Sequence, residues 1–287
     1  MEKILKIDKE KCINCNLCNK TCILTKFCGY KKIEDGAQEF CINCGHCIAI
    51  CPTGAINHYK IKSVEKIGEI PNFEMTKNLI MKTRSVRDFT GEKLKDSEIE
   101  SFRKIMEYSA SGINLQSIEL MIIQDEQQLK NITKITMQMY NLIEKIYKFP
   151  FIKNIIKFAG GKNNFESLKF EVNTHKQRKI AYQNGADPIL YNAPALLLFI
   201  APDKSALATD DSTIISQNIL IASSALNLGG CYMGCITVGC KLLKYKPLIK
   251  ALKIPKGYFL SQALVIGHPS FQLANMPERN HKNINLI

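Results

Sequence analysis

Two copies of one cysteine spacing confine what the first sixty residues can become. The first reads Cys12-x2-Cys15-x2-Cys18-x3-Cys22, and the second reads Cys41-x2-Cys44-x2-Cys47-x3-Cys51 followed by Pro52. Three thiols at every third position let a tight loop grip one iron–sulfur cube, while the fourth faces away toward a neighbouring cube. By that geometry Cys12, Cys15, Cys18 and Cys51 hold one 4Fe–4S cluster, and Cys41, Cys44, Cys47 and Cys22 hold the other. Structural zinc also uses CxxC pairs, but two interleaved runs of this kind are not its usual spacing. The first run departs from the second in one respect: Cys22 is followed by Ile23 rather than proline, which removes a turn constraint.

The other four cysteines carry less information. Cys28 lies outside both runs and reads as a free thiol. Cys231, Cys235 and Cys240 read as small apolar core residues, with a third metal site as the alternative. Clustered cysteines in a cytoplasmic chain point to metal ligation rather than disulfides. A cytoplasmic, soluble protein is the expectation, because Met1 to Glu10 alternates Lys and Ile without an apolar signal core. The longest apolar run, Ala193 to Ala201, is far shorter than the roughly 20 residues a membrane helix needs, so no transmembrane segment is expected.

The formal net charge of +13 suggests nucleic acid until it is located along the chain. Residues 1–63 carry ten Lys/Arg against six Asp/Glu, an excess that two anionic clusters offset. Residues 126–180 carry eleven against four, mixed with Phe and Ile rather than drawn out as a solvated tail. No nucleic-acid-binding motif accompanies the charge, and no such partner is expected.

Hydrophobic patterning divides the chain into residues 1–63 around the cysteine loops, a linker over 64–78 containing Gly68 and Pro71, and a larger domain over 79–287. Short strands are expected at Ile4 to Ile7 and Ile56 to Tyr59. Ser97 with Glu100 forms a capping box ahead of Ile99, Phe102 and Met106 at helical spacing. Leu120 to Ile123, Ala195 to Ile200 and Leu260 to Ile266 read as strands, the first two as buried ones. Ser212 to Leu228 reads as a helix apolar around most of its circumference, closed by Gly229 and Gly230, and therefore buried centrally or in a subunit interface. Helix and strand alternate through the larger domain, which is α+β or α/β.

No G-x-G-x-x-G and no P-loop occurs, so a Rossmann or P-loop nucleotide site is unsupported. The stretch Thr83-Arg84-Ser85-Val86-Arg87-Asp88-Phe89 offers two guanidiniums and a hydroxyl that can fork onto phosphate or ribityl oxygens; a solvated basic turn is the alternative. Here the sequence resembles the nitroreductase family of FMN flavoproteins. Ser111-Gly112-Ile113-Asn114-Leu115-Gln116, Asn192-Ala193-Pro194, the run from Asp211 through Gln217-Asn218-Ile219-Leu220 to Gly229-Gly230-Cys231-Tyr232-Met233-Gly234, and Gly267-His268-Pro269 with Arg279 follow in the family's order. The cysteine region resembles bacterial two-cluster ferredoxins. The whole chain is similar to ferredoxin–nitroreductase fusions of anaerobes.

The resemblance implies an α+β fold: a small two-cluster ferredoxin-like domain followed by a nitroreductase-like FMN domain. It implies FMN contacts from Arg84, Ser85 and Arg87, with Arg279 at the phosphate and the backbone of Gly229 and Gly230 close to the ring. Ser111, Asn114 and Gln116 would come from the other subunit of a homodimer. The family usually has Arg where Thr83 stands, Pro where Ala110 stands and Pro-Trp where Ser117-Ile118 stand. Those departures alter one phosphate contact and the pocket edge.

The implied function is an FMN-dependent oxidoreductase, with no catalytic side chain required because the flavin carries the chemistry. A low-potential donor, a reduced ferredoxin-like protein or NAD(P)H, would supply electrons through two 4Fe–4S clusters to a small organic acceptor such as a nitroaromatic or quinone. A competing direction runs from NAD(P)H through FMN and out through the clusters. A non-enzymatic reading makes the chain a redox carrier or sensor. His175 and His268 read as ordinary surface or loop histidines, with proton donation to substrate as the alternative, and Tyr182 and Tyr191 are treated alike. The basic insert within 126–180 places Ile152, Ile155, Ile156 and Ala159 on one helical face; packing on its own domain is expected, with a mobile lid or an acidic partner or membrane surface as alternatives.

Overall fold

The structure, a computed structural model, describes residues 4–62, 64–280 and 282–285; the side chains of 38, 152–157, 159–160 and 162–164 lie outside the description. The chain forms two compact units, Met1–Asn72 with Gly112–Leu115, and Phe73–Ser111 with Gln116–Ile287.

In the first unit, β1 (Leu5–Ile7) and β2 (Ile56–His58) pair antiparallel, with Leu5 opposite His58. Between them lie four short helices: α1 (Leu17–Thr21), α2 (Ile23–Phe27), α3 (Ile33–Phe40) and α4 (His46–Ile50). The cysteine repeat is also a backbone repeat. Asn14 and Asn43 sit at φ 54° and 55°, and Asn16 and Gly45 at φ 61° and 73°, immediately before α1 and α4. Asn and Gly are the residues that tolerate this left-handed conformation, so each loop curls around its thiols at little cost. Cys22 and Cys51 follow α1 and α4 in extended conformation. Without a proline, Cys22 leads directly into α2, whereas Pro52 opens a turn. Among the described residues, Leu5, Ile33, Ala37, Cys47 and Ile56 form a small buried core cluster.

The second unit begins with α5 (Phe73–Lys82) and α6 (Asp96–Tyr108), followed by β3 (Glu119–Ile123), α7 (Glu126–Tyr147) and α8 (Pro150–Gln183). Then come β4 (Ala195–Pro202), α9 (Ala208–Ala225), β5 (Gly229–Tyr232), α10 (Gly234–Lys241), α11 (Lys246–Ala251) and β6 (Tyr258–Gly267). The sheet order is β3-β4-β6-β5 and every neighbouring pair is antiparallel, which makes the unit α+β. β4 is apolar throughout because helices cover both of its faces. Leu196, Leu198 and Ile200 join the core of α7, α10 and α11, while Leu197 and Phe199 join that of α6 and α9. Each such side chain contributes about 2 kcal/mol by leaving water.

Several local expectations are corrected. Residues 73–78 are helix rather than linker; after Pro71 the chain offers helix formers, with Glu74 in the first turn and Lys82 in the last, both complementing the helix dipole. α6 starts before Ser97: Glu98 Oε2 accepts the Lys95 N–H at 2.8 Å, and Glu100 instead accepts from Arg103 Nε at 2.8 Å. Gly229 and Gly230 do not close α9 but open β5. Asn227, at φ 58°, ends the helix, and Leu228 N–H returns to Ser223 O at 2.8 Å. β3 is an edge strand, only half-buried.

The basic segment is not one insert. α7 supplies Leu129, Ile132, Met137, Met139 and Tyr140 to the core, so its lysines are simply its solvent face. α8 breaks its helical dihedrals at Gly161, φ 74°; the side chains of Ile152, Ile155, Ile156 and Ala159 lie outside the described residues. His175 is fully buried rather than superficial. Its Nε2 meets Asn141 Oδ1 at 2.9 Å and its ring stacks on Tyr140 at 5.4 Å.

Candidate functional site

The eight repeated thiols fall into two groups. Cys12, Cys15, Cys18 and Cys51 line one pocket of about 330 Å³ that opens to solvent, walled by apolar residues that include Ile7 and Ile56. Cys22 joins the other group. Burial pushes the Cys47 thiol up to about 11, reinforced by the charges of Cys22, Cys41 and Cys44. Burial also raises Cys41, with Cys44 and Cys22 adding to it. Cys18 is raised by burial and, more weakly, by Cys15 and Cys51. The neighbours thus cross between the two runs. Among the described residues no three Cys, His, Asp or Glu side chains converge on a single-ion position.

Backbone amides point at two of these sulfurs. Ala55 N–H donates to Cys51 Sγ at 3.3 Å and Asn43 N–H to Cys41 Sγ at 3.4 Å. Burial alone would raise the Cys51 pKa, but amides of Ala55, Thr53 and Gly54 and the Thr53 hydroxyl lower it overall. Sulfur donors, pocket and amides together fit iron–sulfur groups, whose bridging and ligand sulfurs take such hydrogen bonds.

In the second unit the stretch 84–87 runs beside β5, with Val86 N–H donating to Gly230 O at 3.0 Å and Ser85 bridging Gly230 in parallel. Extended backbone alternates its side chains, and this divides the two guanidiniums. Arg84 and Val86 line a cleft of about 450 Å³ open to solvent, together with Lys82, Ser224, Asn227 and Gln272. Arg84 Nη1 donates to Thr83 O at 2.8 Å, and its Nε is buried with no hydrogen-bond partner among the described residues. Thr83 itself is taken up by Leu79 O at 2.9 Å and Ser224 Oγ at 3.1 Å. Two cations, an orphaned N–H and no carboxylate in the lining fit a phosphate-bearing group.

Arg87 points the other way, its guanidinium 5.8 Å from the Tyr191 ring. Tyr191 and Asn192, at φ 60° and 52°, follow a turn built on Asp187, whose Oδ1 accepts from Thr133 Oγ1 and from the N–H groups of Ile189 and Leu190 at 2.9–3.0 Å. Burial raises the Tyr191 pKa, opposed by Arg87. The same neighbourhood holds Cys231 and Cys235, the latter pushed up to about 12 by burial, and the set Tyr140, Glu171 and Arg178. Tyr140 OH donates to Glu171 Oε2 at 3.0 Å and Arg178 Nη2 meets that oxygen at 2.9 Å. The only local trace of this trio is the seven-residue spacing of Glu171 and Arg178, which puts both on one helical face.

Gly229 and Gly230 are packing glycines. A Cβ on Gly229 would run into Val86, and one on Gly230 would lie 2.7 Å from Val265 O. Ser111 Oγ accepts the Gln116 N–H at 3.1 Å, and Gln116 Nε2 donates to Glu107 O at 3.2 Å. Asn114, in the segment belonging to the first unit, donates from Nδ2 to Ile42 O and Asn43 O, both at 3.0 Å. Its neighbour Ile113 is strained at φ 44°, a rare place for a β-branched residue. Arg279 is exposed in the tail beyond β6.

Comparison with known proteins matches the nitroreductase family over residues 80–268 and a 4Fe–4S dicluster domain over residues 4–52. An FMN reductase (NAD(P)H) of Bacillus subtilis is 22% identical over 202 residues, covering 70% of this chain and 69% of its own. A nitroreductase with bound FMN from Bacteroides fragilis superposes with a TM-score of 0.53 at 14% identity, over 74% of this chain and 98% of that one. An FMN-dependent nitroreductase from Clostridium difficile gives 0.50 at 22% identity, over 75% and 100%. Among the described residues no helix is long and apolar enough to cross a membrane.

Proposed function

The chain belongs to the nitroreductase family, with a 4Fe–4S dicluster domain ahead of it, and from that premise we propose that it accepts single electrons through two 4Fe–4S clusters and delivers them by way of FMN to a small organic acceptor. It is a flavin-dependent oxidoreductase. The observation that carries the two-cluster reading is the crossing of the runs: Cys51 lines a pocket with Cys12, Cys15 and Cys18, while Cys22 neighbours Cys41, Cys44 and Cys47.

Bound there, the clusters would supply electrons singly and FMN would combine them for two-electron reduction of a nitroaromatic, a quinone or a similar acceptor. The rest is the work of side chains. Ser85 and Arg87, on one side of the 84–87 strand, hold and orient the flavin beside Tyr191. Arg84, on the opposite side with Lys82, offers its unpartnered N–H to phosphate, and Arg279 neutralises charge from the tail. Gly229 and Gly230 let β5 approach closely enough to keep that strand in place. In a homodimer, Ser111, Asn114 and Gln116 complete the partner's pocket. The amides on Cys41 and Cys51 orient the thiolates and favour their charged form.

The test is anaerobic purification with iron and flavin quantified. About eight iron atoms and one FMN per chain are expected, and a chain with bound zinc and no flavin would sink the proposal. The relative's NAD(P)H-dependent FMN reductase activity favours a second direction, outward through the clusters. Rapid bleaching of the flavin by NAD(P)H alone in an anaerobic titration would establish that direction; slow bleaching, with fast reduction by a low-potential ferredoxin, establishes the first.

A further inference from the structure

We propose that His58 sets the reduction potential of the cluster held by Cys22, Cys41, Cys44 and Cys47, and leaves the other cluster unaffected. The inference rests on the two-cluster reading and adds a residue that no cysteine pattern points to. His58 ends β2 opposite Leu5, and only 7% of it is exposed. Its ring nitrogens have separate partners. Nδ1 accepts the Lys60 N–H at 3.2 Å, and Nε2 lies 3.6 Å from Cys41 Sγ. A neutral imidazole has one N–H and one lone pair. With the lone pair of Nδ1 occupied by a backbone donor, the proton sits on Nε2 and is aimed at the sulfur.

A donor to a ligand sulfur favours whichever redox state carries more negative charge, and reduction adds one electron to the cluster and its thiolates. His58 therefore raises the potential of this cluster. Among the described residues the other quartet has no ring nitrogen beside it. Its sulfur contacts are the Ala55 N–H and Thr53 hydroxyl at Cys51 and the Asn14 side chain at Cys12. Among the described residues the ring's hydrogen bond to a cysteine is the one to Cys41, so the device acts at one thiolate. One buried histidine makes two similar cysteine loops unequal.

The experiment is a potentiometric titration of the full-length, cluster-loaded protein followed by electron paramagnetic resonance. The variants are His58→Leu, which removes the donor, and His58→Gln, which restores an amide N–H of similar reach. In His58→Leu one of the two potentials is expected to fall by about 59 mV, the equivalent of a tenfold change in the oxidised-to-reduced ratio for one electron. The second potential stays in place, and His58→Gln recovers most of the loss. In a Cys12→Ala background the remaining potential should show the same drop. Equal movement of both potentials, no movement, or His58→Gln matching His58→Leu overturns the proposal. Iron content separates this from failure of the underlying reading: a wild-type chain with about four irons or fewer defeats both, whereas about eight irons with unshifted potentials defeats only the role of His58.

Discussion

Replacing Cys22 by alanine removes one thiolate from the group containing Cys41, Cys44 and Cys47, although Cys22 belongs by sequence to the other run. The magnitude follows from the state of Cys47. Its thiol is pushed up to about 11 by burial and by the three neighbouring cysteines, so giving up that proton at pH 7 costs roughly 5 kcal/mol. The metal–thiolate bonds must repay this during assembly. A site with one bond missing assembles poorly, and Cys22→Ala should fall from about eight to about four irons per chain. The single variant does not show which cluster was lost; paired variants do. If the runs are crossed, Cys22→Ala with Cys41→Ala strikes the same cluster twice and retains about four irons, while Cys22→Ala with Cys12→Ala strikes both and retains none. Uncrossed runs reverse these outcomes. Iron assay and anaerobic visible spectra read the result directly, and an iron-free Cys22→Ala/Cys41→Ala protein would refute the crossing.

Gly230→Ala drives a methyl group to 2.7 Å from Val265 O and 2.8 Å from Leu220 Cδ2, so a loss of about 1–3 kcal/mol is expected; thermal unfolding should show a lower Tm, whereas Gly234→Ala, which meets nothing within 4 Å, leaves it unchanged. His175 is held below its ordinary pKa by burial and then by Lys179. The unfolded chain takes up that proton near pH 6.5 and the folded chain resists it, so the stability present at neutral pH declines as pH falls below that value. Denaturant midpoints at pH 7.5 and 5.5 should differ less in His175→Phe than in the wild type.

The cysteine loops were legible because ligand spacing and local conformation reinforce each other: Asn14, Asn16, Asn43 and Gly45 are residues that accept the left-handed turns the loops need. β4 was legible from its unbroken apolar run, since a strand covered on both faces has no polar alternation to confuse it. α7 was not. Its exposed lysines dominate the composition of 126–180, while the residues it sends to the core, Ile132 and Met139 among them, are diluted in the count. The separation of Arg84 from Arg87 depends on a bridge to Gly230, 145 residues away from Ser85, which no local pattern reveals. His58 meets Cys41 for the same kind of reason, through the return of β2 along β1.

Val86 presses its methyl groups into the gap left by Gly229, and that apolar contact acts as a detent for the whole stretch. A slip of one residue would bring a serine or a guanidinium to a slot shaped for valine, and would exchange which cation meets each side of the strand. Charge placement here is thus locked by an uncharged pair in the wall of the cleft. Changes at Val86 or Gly229 should scramble charge placement as effectively as changes to the arginines themselves.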